Sequence, residues 1–241
     1  MNIPLPLSAT WRHLLFLNYA VPPEFLEPWV PKGVELDLYD GQAYLSLVGL
    51  MFLNQKILGI PDPFHQQYEQ VNLRFYVKRQ SDYGTLHGTF FIKEIVPTVL
   101  VAEAARMFFN ERYVTCETRH HIEEYDGMLR KGSLVEYGFM EARQWHDLSA
   151  RIAGPAVPPD PNSAAFFTAH RLLGYSPADD GTIEYELQHP RWHIYPVSEA
   201  RFDCNVEAVY GRQFVPYLRS SPDFAFVAAG SDVAMVKAVK I

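Results

Sequence analysis

Residues 69–79 read Glu-Gln-Val-Asn-Leu-Arg-Phe-Tyr-Val-Lys-Arg, and this stretch decides the fold class. Val71, Leu73, Phe75 and Val77 occupy one parity. Asn72, Arg74, Tyr76 and Lys78 occupy the other. Successive side chains of a strand point to opposite faces, so the segment is a β-strand with one apolar and one polar face. Ser81 to Gly84 form a turn, and residues 85–96, rich in aromatic and β-branched side chains, return as its partner.

The same reading extends in both directions. Upstream, residues 12–19 form a strand, and Pro22 and Pro23 open a short helix with Phe25, Leu26 and Trp29 on one side. Residues 34–39 and 42–53 are expected to pair as a hairpin around Asp40-Gly41. Downstream, the spacing of Val99, Leu100, Ala102, Ala105, Met107 and Phe108 predicts a buried helix over 98–109, with Glu103 and Arg106 three apart as its charges. Strands are expected at 113–124 and 130–145 with a turn at Asp126-Gly127. A Pro-rich loop follows over 154–161, then a helix capped by Asn162 or Ser163 and running to Leu173. Strands close the chain at 182–189, 224–229 and 233–239. Strands joined by tight turns make a mainly antiparallel α+β protein in one domain over 1–241, and a sheet this extensive hides its edges by closing into a barrel or cone.

Composition narrows the function. Hydrophobic residues make up 48% of the 241 and aromatics 14%, enough for a sizeable core. Against 28 acidic residues stand 21 basic ones, a formal charge of −7 that repels phosphate backbones and acidic membranes, so neither nucleic acid nor membrane is an expected partner. Cys116 and Cys204, far apart and in no metal-like spacing, read as free thiols of a reducing compartment, which places the chain in the cytoplasm. The apolar run Leu14 to Val21 is too short for a membrane span and reads as neither signal peptide nor anchor.

No Gly-rich phosphate loop follows a strand and no nucleophile elbow is present, so no nucleotide cofactor is expected. His120 and His121 point to opposite faces of a strand, and Pro190 breaks any helix through His189 and His193, so no metal site is expected either. The polar row Asn72, Arg74 and Tyr76 is the leading ligand-binding candidate. Inside a barrel, an Arg clamps a carboxylate through two parallel charge-assisted hydrogen bonds; on an open sheet, the same row meets solvent. A second row, Tyr113, Thr115, Glu117 and Arg119, carries the same two readings. For catalysis the titratable candidates are Glu69, Lys93 and Glu117, although Lys93 also reads as a lysine snorkelling from a sheet rim.

The order of five motifs carries a resemblance. WRHLLFLNYAVPP (11–23), GVELDLYDG (33–41), VNLRFYV (71–77), AARMFFNERY (104–113) and HPRWHIYPVSEA (189–200) resemble the YqjF-like family of uncharacterised proteins, domain of unknown function 2071. That family is similar to the acetoacetate decarboxylase-like superfamily, which implies an antiparallel barrel or cone around an internal pocket, often in a homo-oligomer. Acetoacetate decarboxylases form a Schiff base on the first of two adjacent lysines. Aligning Arg106 with the arginine of their motif sets Tyr113 and Val114 at those lysines, while Asn110 and Arg112 depart from the family's usual Gly and Pro. Neither a phenol nor an isopropyl group forms an imine. The resemblance thus implies a small-molecule-binding protein for an organic acid or similar ligand, held by Asn72, Arg74, Tyr76, Glu103, Arg106 and Tyr113. The alternatives are an enzyme of non-imine chemistry on a small keto or enol acid, and a structural or protein-interaction domain.

Overall fold

The computed structural model describes residues 7–57, 59–61, 67–98, 113–178 and 180–241. In chain order its strands are β1 (Leu7–Val21), β2 (Glu35–Leu36), β3 (Ala43–Ile57), β4 (Ile60–Pro61), β5 (Gln67–Ser81), β6 (Gly84–Val96), β7 (Tyr113–Thr115), β8 (Thr118–Ile122), β9 (Leu134–Glu141), β10 (Gln144–Ile152), β11 (Leu173–Ala178), β12 (Gly181–Gln188), β13 (Ile194–Asp203) and β14 (Phe224–Lys240). Among the described residues four short α-helices accompany them, α1 (Pro23–Leu26), α2 (Ala164–Ala169), α3 (Val206–Tyr210) and α4 (Val215–Leu218), with 3-10 turns at Glu27–Trp29 and Arg212–Phe214.

The ladder runs β1-β3-β5-β6-β11-β12-β14, and β14 pairs back with β1 from Leu7↔Met235 to Asn18↔Phe224, closing a ring of seven strands. Closure removes the unpaired edges that so long a sheet would otherwise expose. Every junction is antiparallel except β6–β11, where Gly174 and Tyr175 lie parallel to Thr89 and Phe90. The fold class is therefore the mainly antiparallel α+β barrel that the alternation in 69–79 implies.

A second layer leaves the ring at β14. β13 pairs with Phe226–Ala228 and continues through β10 and β9 to β8, and this sheet lies over the outside of β1, β3 and β5. Between the two layers sits the larger apolar core, with Leu15, Leu47, Leu73 and Phe75 against Tyr137, Phe139 and Leu148, and with Val209, Phe214 and Leu218 of the C-terminal helices sealing it. Contact is close enough that a Cβ on Gly49 would stand 2.5 Å from the Tyr137 ring, so only glycine fits there. β14 bends at Gly230, whose φ of 81° and contact with the Trp11 carbonyl exclude a side chain.

Several expectations need correction. Asp40 and Gly41 do turn with positive φ, but only Tyr39↔Gln42 closes the hairpin; β2 pairs with β5 instead, Glu35 opposite Lys78. The expected strand 113–124 splits, β7 joining β6 and β8 joining β9. The expected strand 130–145 runs across a hairpin turned by Ala142 and Arg143, both at positive φ and neither a turn-forming residue type. Strands β10, β11 and β13 were not foreseen, and the helix after Ser163 ends at Ala169 rather than Leu173. The two closing runs at 224–229 and 233–239 are one continuous strand. The helix expected over 98–109 lies largely outside the described residues.

Candidate functional site

The inner face of the ring is built from the opposite parity to the core. Asn18 of β1, Ser46 of β3, Gln70, Asn72, Arg74 and Tyr76 of β5 and Glu94 of β6 turn toward the lumen, beside apolar walls that include Phe16, Val48, Leu50 and Phe226. A β-bulge between Leu73 and Arg74 brings Phe91 opposite Arg74 while Asn72 faces Glu94.

One end of the lumen is basic. The Arg74 guanidinium lies 4.7 Å from the centroid of Phe16 and 6.0 Å from that of Phe91, a packing that suits a planar, weakly hydrated cation. Its Nε has no hydrogen-bond partner, and among the described residues no carboxylate lies within ion-pair distance of it. Burial pushes its pKa down, with Tyr76 and Glu94 opposing the shift, and a guanidinium still keeps its charge at neutral pH. Tyr76 is fully buried. Its hydroxyl lies 2.7 Å from Ser46 Oγ, which in turn donates to Asn18 Oδ1 at 2.6 Å, and burial raises its pKa despite the neighbouring arginines. Arg171, just beyond α2, lies over this phenol, 5.3 Å from the Tyr76 centroid and 4.0 Å from that of Phe167. Its Nη1 reaches Asp37 at 3.1 Å, and Asp37 Oδ2 also accepts from His87 Nδ1 at 2.7 Å. His170 and His189 stand ring to ring at 5.9 Å, and His189 stacks on Trp192 at 4.1 Å. Burial lowers the pKa of both, with Arg74 adding to the effect at His189.

The other pole is a carboxylate group. Gln70 Nε2 donates to Glu94 Oε1 at 2.7 Å and to the Tyr113 hydroxyl at 3.2 Å, while β7 lies parallel to β6 with Tyr113 opposite Glu94. Glu94 and Gln70 are both buried. The phenol of Tyr113 thus shares Gln70 with the Glu94 carboxylate.

The three catalytic candidates from sequence do not share this space. Glu69 has the parity of the core face: it accepts from Thr118 Oγ1 at 2.5 Å and pairs with His120 Nδ1 at 2.5 Å on the outer sheet. Lys93 also faces outward, held by both oxygens of Glu141 at 2.6 and 2.7 Å and by the Val209 carbonyl at 2.9 Å. All three ammonium protons have acceptors, and the side chain is mostly buried between the two layers. Glu117 is exposed in the link between β7 and β8. Glu103 and Arg106 lie outside the described residues.

Glu94, Gln70, Arg171, His170 and His189 were missed as site residues. For Gln70 and Glu94 the signal was present: both have the parity of Asn72, one across the ladder from it. Arg171 and the two histidines come from loops, where no periodicity marks an inward side chain.

Outside the barrel, His13, His120, His121 and Glu124 line an open groove of about 450 Å³, with His13 Nε2 at 2.9 Å from Glu124. Among the described residues no group of three or more His, Cys, Asp or Glu is arranged to hold a metal, and no helix is long and apolar enough to cross a membrane. Both cysteines are unpaired; burial pushes the Cys116 thiol up to about 11 and the Cys204 thiol up to about 12, which leaves them protonated and weakly nucleophilic.

The closed, mainly antiparallel ring is a fold shared with acetoacetate decarboxylase-like proteins of known structure. The chain superposes on an acetoacetate decarboxylase-like enzyme from Sphingomonas wittichii RW1 with a TM-score of 0.67, covering 98% of this chain and 92% of that one at 14% identity. It superposes likewise on acetoacetate decarboxylase from Legionella pneumophila, with a TM-score of 0.69 over 98% and 87% of the two chains at 10% identity. The enduracididine biosynthesis enzyme MppR, solved in complex with the condensation product of pyruvate and imidazole 4-carboxaldehyde, gives 0.68 over 99% and 90% at 11% identity. At such identities the likeness is one of fold. Sequence goes further: residues 8–232 match the DUF2071 family of uncharacterised conserved proteins, and the chain belongs to that family. It is 31% identical over 118 residues to the uncharacterised protein YqjF of Bacillus subtilis (strain 168). That match spans 46% of this chain and 47% of YqjF, about half the length of each.

Proposed function

We propose that the protein binds a small organic acid inside the barrel, with Arg74 as the carboxylate clamp and Asn72, Tyr76 and Tyr113 as further ligand contacts. The observation that carries this reading is the state of Arg74: a guanidinium facing the lumen, stacked on Phe16, with its Nε unsatisfied and no described carboxylate in ion-pair range. A buried cation without a counter-ion costs several kcal/mol. An anionic ligand supplies the missing partner and two charge-assisted hydrogen bonds. The fold supports the reading, since its relative MppR is solved in complex with pyruvate.

Imine chemistry has no support among the described candidates. Lys93 of β6 faces the other way with its ammonium engaged, and Lys78, which has the parity of Arg74 on β5, lies opposite Glu35 of β2. A second reading, an enzyme of lyase, isomerase or hydrolase type acting on a keto or enol acid without an imine, is favoured by the Glu94–Gln70–Tyr113 group, which sets a carboxylate where it could exchange a proton with a ligand held at Arg74. The test is calorimetry and thermal shift with acetate, butyrate and pyruvate on the wild-type protein and Arg74→Ala. Binding is expected in the wild type and about tenfold or more weaker in the variant, the loss of a charge-assisted pair. Equal affinity in the two proteins rules out the clamp. Borohydride treatment with pyruvate is expected to give no covalent adduct; an adduct overturns the non-imine reading.

A further inference from the structure

We infer that the lumen takes an acid with two separated anionic groups, the second held by Arg171. The inference rests on the organic-acid reading above and adds to it the class of acid. Its basis is a count of donors. Arg171 is nine-tenths buried and its Nη1 meets Asp37 at 3.1 Å, while its Nε and Nη2 have no partner among the described residues. These two N–H groups lie on one edge of the guanidinium plane and form the fork that receives a carboxylate or phosphate in bidentate fashion. Buried N–H groups are almost always satisfied, so an empty fork on a nine-tenths-buried arginine marks the place of an acceptor.

Both arginines adjoin Tyr76. Arg171 lies over its ring at 5.3 Å, and the hydroxyl is the first electrostatic partner of Arg74. Each guanidinium has unmet donors of its own, Nε on Arg74 and Nε with Nη2 on Arg171, so each has a place for an anionic group. The carboxylates of this space do not fill the fork: Asp37, already shared with His87, meets Arg171 at Nη1, and Glu94 accepts from Gln70. A dianion with one group on each arginine supplies acceptors to both. A dicarboxylate and a phosphorylated carboxylic acid both have this chemistry.

The experiment compares butyrate with succinate and with phosphoglycolate, by calorimetry at constant ionic strength and neutral pH. Either diacid is expected to bind at least tenfold more tightly than butyrate, the tighter of the two naming the second group. In Arg171→Lys an ammonium remains for Asp37 while the fork is lost, and the diacid-to-butyrate ratio is expected to fall toward one. In Arg74→Gln all three acids are expected to weaken. If butyrate matches both diacids in the wild-type protein, water fills the Arg171 fork and the inference fails while the organic-acid reading stands. A ratio that survives Arg171→Lys also overturns it. If none of the three acids binds, the organic-acid reading itself falls. Should Arg171→Lys fail to fold, the wild-type ratio alone decides.

Discussion

The two faces of β5 are built to opposite ends, although they alternate residue by residue along one strand. Val71, Leu73, Phe75 and Val77 face the outer sheet and are wholly buried among aliphatic and aromatic neighbours. Gln70, Asn72, Arg74 and Tyr76 face the lumen, where Asn72 Oδ1 and Arg74 Nε are left without partners. The first face is close-packed and supplies stability; the second gives some of it up. Unmet polar groups in a folded interior cost free energy and persist where something outside the chain completes them.

The largest effect that separates the faces is expected from Phe75→Ala. Removing a fully buried phenylalanine from the packed side is expected to lower unfolding free energy by about 3–5 kcal/mol, read by urea denaturation. A loss below about 1 kcal/mol would show that the outer sheet does not pack as described. Gly49→Ala probes the same layer from the neighbouring strand. Its new methyl group meets the Tyr137 ring at 2.5 Å, and a loss of about 1–3 kcal/mol is expected as the two sheets are forced apart. An unchanged midpoint would break the assignment of which face is the core.

On the lumen side the sign reverses. Arg74→Leu replaces a desolvated, unpaired cation with an apolar side chain between Phe16 and Phe91, and is expected to leave the unliganded protein as stable or about 1–2 kcal/mol more stable. The thermal shift produced by an added acid should vanish in the same variant. A destabilisation comparable with that of Phe75→Ala would mean that Arg74 is a structural residue and that the two faces do the same work.

This contrast also separates what the sequence reveals from what it hides. The parity of Asn72, Arg74 and Tyr76 is written in the chain, but the surroundings they meet are not: the same row fits a wet outer face or a covered interior, and the pairing of β14 with β1 decides between them. The choice of Glu69 over Gln70 broke that same parity rule. Lys93 was a harder case. The bulge at Leu73/Arg74 shifts the register with β6, so which of Lys93 and Glu94 points inward depends on a backbone irregularity that no residue type announces. The Ala142-Arg143 turn hid β10 for a similar reason: its left-handed φ values fall on residues that do not advertise them. Arg171 was beyond reach, since its place over Tyr76 follows from a loop's path across the barrel end and not from a pattern in its neighbourhood.

The smallest expected effect joins the two faces through pH. On the outer face, burial would raise the Glu69 carboxyl, but hydrogen bonds from Thr118 and His120 outweigh it and its pKa falls below the usual carboxylate range. A depressed acid contributes stability that is present above its unfolded pKa and is lost as pH falls through the folded one, so this contribution disappears in the acid range below about 4.5. On the lumen side His189 is displaced downward, first by burial and then by Arg74. The unfolded chain then binds the proton more readily, and stability falls as pH drops below about 6.5 until the folded-state pKa is passed. An anion on Arg74 opposes that second contribution, so succinate is expected to shrink the loss between neutral pH and the histidine range while leaving the Glu69 limb untouched. Denaturation midpoints across pH, with and without succinate, in the wild type and His189→Phe, read both limbs at once. If succinate shifts the two limbs equally, the lumen and the outer face are not electrically separate, and the division of labour along β5 is wrong.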